Sequence, residues 1–116
     1  MTQHVKILNQ PACSVLSFEG LKNLDANSAH RVKAEIKGLL SDETINAVID
    51  LSSIQFIDST GFGALISVLK TVKGRNGNLI LTGVSSEVRE LMDLMQLLNV
   101  FQLSDTVEEG ISKLNA

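Results

Sequence analysis

Four consecutive residues, Asp58-Ser59-Thr60-Gly61, place a carboxylate beside two hydroxyls at the junction between an apolar run and a helical pattern. That junction is where a helix leaves backbone N–H groups unpaired and presents the positive end of its dipole. The spacing predicts Asp58 as N-cap, accepting from the N–H of Thr60 or Gly61, with Ser59 at the first helical position and its hydroxyl outward. A phosphoryl group carried there is stabilised by the helix N-terminus. It adds about −1.5 to −2 charge to a surface that the local sequence leaves small and nearly neutral. The chemistry suggested is therefore phosphoacceptance, with Ser59 the first candidate and Thr60 the second. The competing reading is that either hydroxyl is only a further cap.

Other chemistries fail on spacing. Two residues separate Asp58 from Gly61, unlike the Asp-Thr-Gly of aspartic proteases, and a helical pattern follows where those enzymes are nearly all β. Gly61-Phe62-Gly63 lacks the lysine of a P-loop and the third glycine of a dinucleotide fingerprint. Ile57 and Gly61 flank Ser59 at i±2, so no nucleophile elbow is present. His4 and His30 have no partner at metal-ligand spacing, and there is no Cys-x-x-Cys pair. Cys13, the single cysteine, lies in an apolar run and reads as a buried small hydrophobe, which also suits a reducing compartment. No catalytic residue, metal site or cofactor is expected.

The helix behind the junction is divided between two faces. Phe62, Leu65, Ile66, Val68, Leu69 and Val72 form the side expected to be buried. Gly63, Ser67, Lys70 and Thr71, with Ala64 beside them, form a low-profile outer side. Two glycines in the first turn cost about 1 kcal/mol each relative to alanine. Either another molecule's backbone approaches closely here, or Gly61 and Gly63 serve tight internal packing.

The elements that position this junction follow from periodicity. Apolar stretches 5–8 and 13–18 flank Asn9-Gln10-Pro11 and read as a hairpin that excludes Pro11 from strand interior. Ala29, Val32, Ile36, Leu39 and Leu40 recur at helical spacing, with Asp25 or Asn27 as cap and with His30, Arg31, Lys33 and Lys37 on a solvated face. The run 45–51 is a strand buried on both faces. The following helix covers about 59–73 and stops before Asn76-Gly77. Strand 78–82 is closed by Gly83, and a third helix capped by Ser85 or Ser86 carries an apolar stripe of Val88, Leu91, Met92 and Met95. Residues 100–103 form an edge strand. A last helix begins at Asp105 or Thr106, with Val107, Ile111 and Leu114 inward. The order ββαβαβαβα predicts an α/β fold: one domain over 1–116, a mostly parallel sheet with one antiparallel edge strand, and about four helices.

Composition narrows the partners. The chain has 116 residues, 44% hydrophobic and 20% charged, with a formal charge of −3 and neither Trp nor Tyr. An acidic chain without stacking aromatics is a poor nucleic-acid binder. The local basic cluster Lys70, Lys73 and Arg75 sits at a helix end, where it compensates the dipole. No stretch resembles a signal peptide or a membrane span, so a cytoplasmic location without membrane insertion is expected.

The chain resembles the STAS family, and within it the small bacterial anti-sigma factor antagonists. The resemblance rests on Gly20 with Leu24-Asp25-Ala26, on Val48-Ile49-Asp50-Leu51, on the core Phe56-Ile57-Asp58-Ser59-Thr60-Gly61-Phe62-Gly63-Ala64-Leu65, and on Asn78-Leu79-Ile80-Leu81-Thr82-Gly83. The family's usual pattern is Asp-Ser-[Ser/Thr]-Gly-Leu with the first serine phosphorylated, which carries over to Ser59; Phe62 replaces the common leucine. The resemblance implies a partner-switching protein, monomeric or weakly dimeric. Unphosphorylated, it binds a serine-kinase anti-sigma factor and frees the sigma factor; a PP2C-type phosphatase reverses phosphorylation. Asp58 and Gly61 support the site, and partner contact is expected at Asp25, Ser59, Thr60, Gly63, Ser67 and Lys70. Alternative roles are a STAS adaptor for a secretion, biofilm or second-messenger module, or a STAS subunit of a lipid-transport or permease assembly.

Overall fold

Alternating apolar residues in β1 (Val5–Asn9) and β2 (Ser14–Phe18) pair them antiparallel, with Val5 opposite Phe18 and Asn9 opposite Ser14. Pro11, in the connection, donates no ladder bond and stays out of both strands. The computed structural model describes residues 4–11, 13–40 and 46–115. The expected strand start at Ile45 lies outside them.

From β2 the chain proceeds through β3 (Asn23–Leu24), α1 (Ala29–Leu39), β4 (Asn46–Asp50), β5 (Phe56–Ile57), α2 (Ser59–Gly74), β6 (Asn78–Thr82), α3 (Ser86–Leu94), β7 (Gln102–Ser104) and α4 (Val107–Asn115). The main sheet has the order β1-β2-β4-β6-β7, parallel except for the β1–β2 edge pair. Ala47, Val48 and Ile49 in β4 are fully buried, as a strand covered on both faces requires. The expected α/β architecture is therefore present.

Each crossover moves one way across the sheet, and right-handed connections then set α1, α2 and α3 on one face. On that side Leu16, Ile49, Leu79 and Leu81 from the strands pack with Val32, Ile36, Phe62, Leu65, Val68, Val88 and Met92 from the helices. Val48, Ile80 and Thr82 alternate to the other face, where α4 lies alone and Gly110 approaches Ile80 and Thr82.

Several expectations are corrected. The pair β3–β5 forms a second, two-stranded parallel sheet, Asn23 beside Phe56 and Leu24 beside Ile57, absent from the expected order. Neither Asp25 nor Asn27 caps α1; Ser28 is the N-cap and makes no side-chain capping bond, because its Oγ turns back to accept from the Asp25 N–H at 3.1 Å and donates to the Asn23 carbonyl. Lys33 and Lys37 are not on a fully solvated face but half-buried, Lys37 against α2. Met95 is exposed, since α3 has already closed at Leu94. Val100 is exposed too, and the edge strand forms at Gln102–Ser104 instead. The last helix begins at Val107, with the Thr106 hydroxyl accepting from Glu109 N–H.

The helix stops are set by local chemistry. After α2, Asn76 takes φ 61°, while its N–H and that of Gly77 close onto the carbonyls of Lys73 and Val72. After α3, Gln96 takes φ 59° and the N–H of Leu97 reaches the Met92 carbonyl, burying Leu97. Both are Schellman closures made without glycine at the left-handed position.

Candidate functional site

The start of α2 is assembled from two segments far apart in sequence. Asp58 is the N-cap, extended at φ −96° and ψ −176°, and its Oδ1 accepts from the Gly61 N–H at 2.9 Å. Its other oxygen, Oδ2, accepts from the Ala26 N–H at 3.2 Å. The Asp58 N–H in turn donates to the Leu24 carbonyl at 3.1 Å, extending the β3–β5 pairing. One carboxylate thus ties the opening of α2 to the loop that leads into α1.

That loop is ordered by its own polar groups. Asp25 is half-buried, and its Oδ1 accepts from the Asn27 N–H at 3.0 Å. Its carbonyl takes the N–H groups of Ser28 and Ala29. Asp25 therefore shapes the ridge beside Ser59 rather than starting a helix.

Ser59 and Thr60 are exposed at the helix start, and among the described residues neither hydroxyl has a hydrogen-bond partner. The two neighbouring glycines differ sharply. A Cβ on Gly61 would stand 2.0 Å from the Leu24 carbonyl oxygen and 2.7 Å from Ile57 Cγ2. On Gly63 it would meet nothing within 4 Å. Gly61 therefore serves internal close packing, and Gly63 leaves an open, low surface one turn from Ser59.

The rest of the outer side departs from expectation. Ala64 is buried, whereas Ile66 and Leu69 are only partly so. Ser67 is half-buried, and its hydroxyl accepts from Lys37 Nζ at 2.7 Å across the α1–α2 contact. Lys70 is exposed further along the same helix. The surface expected to be nearly neutral is therefore bordered by lysines. Asp25, Ser59, Thr60 and Gly63 come together at one end of this surface, while Ser67 and Lys70 continue along the seam away from it. The Leu24 carbonyl, the Ala26 amide and Lys37 are participants that sequence reasoning missed.

Other candidates lie elsewhere. Cys13 is buried and desolvation raises its thiol above the ordinary range. His4 Nδ1 lies 3.0 Å from the Glu19 carbonyl, and His30 is exposed on α1. Among the described residues no group of three His, Cys, Asp or Glu side chains could hold a metal ion. None of their helices is long and apolar enough to cross a membrane.

A parallel-sheet domain with its polar helix start backed by a two-residue strand pair has counterparts among known proteins. The STAS domain family model matches residues 4–110, and the chain belongs to that family. An anti-sigma-B factor antagonist of Listeria monocytogenes is 28% identical over 86 residues, covering 74% of this chain and 75% of the relative. An anti-sigma-factor antagonist (STAS) domain protein from Planctomyces limnophilus superposes with TM-score 0.86 at 17% identity, over 97% of this chain and 98% of that one. The anti-sigma factor antagonist SpoIIAA in its unphosphorylated form superposes with TM-score 0.70 at 17% identity and the same coverage. At those identities the solved structures speak to the fold.

Proposed function

We propose that residues 1–116 act as one STAS domain working as an anti-sigma factor antagonist, regulatory rather than catalytic, whose partner choice is switched by phosphorylation of Ser59. In its unphosphorylated form it binds a serine kinase that doubles as an anti-sigma factor, and a PP2C-type phosphatase restores that form. The observation that carries the reading is the exposed Ser59 hydroxyl at the first position of α2, unpartnered among the described residues, beside the open surface at Gly63. The names of the relatives support the antagonist role.

The physics of the switch is local. Asp58 already caps the helix, so the Ser59 hydroxyl is not needed for stability and is free to accept phosphate. The N-terminal dipole accommodates the added anion without refolding. Bulk and negative charge then enter the contact surface at the start of α2. A loss of about 2.8 kcal/mol of binding weakens a complex roughly a hundredfold. Asp25 and Thr60 flank the hydroxyl, and Gly63, Ser67 and Lys70 extend the contact along α2.

The test is partner capture with wild type, Ser59→Ala and Ser59→Asp, with intact mass after incubation with ATP and the captured kinase. Ser59→Ala is expected to stay bound and gain no phosphate, and Ser59→Asp to release. Normal phosphorylation and release of Ser59→Ala would move the site to Thr60.

A further inference from the structure

Charge is distributed very unevenly over this acidic chain. Helices α1 and α2 hold five cations, Arg31, Lys33, Lys37, Lys70 and Lys73, against a single carboxylate, Glu35. Their formal +4 sits in a chain of net −3, so all remaining residues together carry −7. Glu35 makes no ion pair with the described lysines; its Oε1 accepts from the His4 N–H at 2.9 Å. Among the described residues none of the five cations meets a carboxylate.

Three of these cations, Lys33, Lys37 and Lys70, line one seam. The Lys37–Ser67 hydrogen bond sets the register of the two helices. Lys33 lies one turn before Lys37, as Gly63 does before Ser67, and Lys70 lies about one turn beyond Ser67; Lys73 instead turns to β6, its Nζ donating to Asn78 Oδ1 at 2.8 Å. Lys33 and Lys37 are half-buried, and the Lys37 ammonium lies in the seam itself, donating to Ser67 Oγ at 2.7 Å. Ser59 is four residues from Gly63, about 6 Å along the axis. That is within one Debye length at physiological salt, about 8 Å.

We infer that the α1–α2 seam is a docking strip for an acidic protein segment, held by Lys33, Lys37 and Lys70 and reaching Ser59 at one end. Charge complementarity selects that occupant. A nucleic acid fits poorly: the only aromatic residue on the two helices, Phe62, is buried, and the rest of the chain repels phosphates. A second copy fits poorly too, since Arg89 and Lys113 interrupt its acidic α3 and α4. The inference deepens the proposed function by naming the chemistry of the partner surface, and it rests on that reading for the link to Ser59. Phosphate at Ser59 then lowers the same positive field that recruits the partner.

The deciding experiment needs neither kinase nor ATP, so it stands apart from the capture test. Labelled protein is titrated, with backbone amide shifts followed by NMR, with a glutamate-rich helical peptide, a lysine-rich control peptide and a short DNA duplex. The expected result is saturable shifts at Lys33, Lys37, Gly63 and Lys70 with the acidic peptide alone, weakened at least tenfold by Lys33→Glu/Lys70→Glu and by 0.5 M salt (about ten times the starting ionic strength). Lys33→Gln/Lys70→Gln weakens binding less, and Lys22→Glu/Arg89→Glu leaves it unchanged. Equal loss in the Lys22/Arg89 variant, shifts scattered over the surface, tighter binding of the duplex at the same amides, or concentration-dependent shifts without peptide would each overturn the inference.

Discussion

Replacing Gly61 by alanine tests the assembly of the site most directly. The added methyl would stand 2.0 Å from the Leu24 carbonyl oxygen, a backbone atom fixed in the β3–β5 pair. Relief requires α2 and β3 to separate by roughly 1 Å. That movement strains the Asp58 N–H to Leu24 carbonyl bond at 3.1 Å and the Ala26 N–H to Asp58 bond at 3.2 Å. Overpacking costs about 1–3 kcal/mol, and two weakened hydrogen bonds add about 2 kcal/mol. Alanine's helix propensity returns about 1 kcal/mol. The net expectation is destabilisation by about 2–4 kcal/mol, or roughly 8–16 °C in Tm for a domain of this size. Gly63→Ala has the opposite sign, because its Cβ meets nothing within 4 Å; it gains about 0.5–1 kcal/mol. Urea unfolding with unchanged slope reads both differences. A Gly61→Ala midpoint within experimental error of the parent, or a Gly63→Ala loss as large as that of Gly61→Ala, would refute the packing argument.

Two further predictions follow from named atoms. Asp58→Ala removes both the cap and the link to Ala26 and is expected to cost about 1–2 kcal/mol. Asp58→Asn keeps the acceptor for Gly61 but not the second one, so it costs less and still speeds amide exchange at Ala26. Cys13 gives a pH dependence: burial raises its thiol, so the native state keeps a proton that the unfolded chain has lost. Its contribution is fully present below the unfolded thiol pKa and is lost as pH rises through the folded one. The chain has no tyrosine. Urea midpoints should therefore fall on alkaline titration in the parent, and fall less in Cys13→Ala.

Local chemistry made much of this legible from residues. Asp58 as cap, Ser59 at the first helical position and Ser85 at the start of α3 each depend on a few neighbouring atoms, and the structure has them so. The succession of main-sheet strands and helices along the chain followed from apolar runs alternating with helical patterns. The pair β3–β5 escaped because each strand is two residues long and its partner lies 33 positions away. Gly61 and Gly63 read alike in sequence; only the Leu24 carbonyl, brought in by that pair, distinguishes them. Lys37 was assigned to solvent because helical period alone does not reveal that a neighbouring helix offers Ser67 to its amine.

The solitary position of α4 has its own consequence. Three helices share one face of the sheet, where α1 and α2 brace one another, whereas α4 lies against β4 and against Ile80 and Thr82 of β6 with only half-buried Val107, Ile111 and Leu114 of its own. Its detachment exposes far less apolar area than global unfolding, so it forms the least costly sub-global opening unit. Proteases and deuterium will find the α4 amides before those of β4 or β6, while the opposite side stays native.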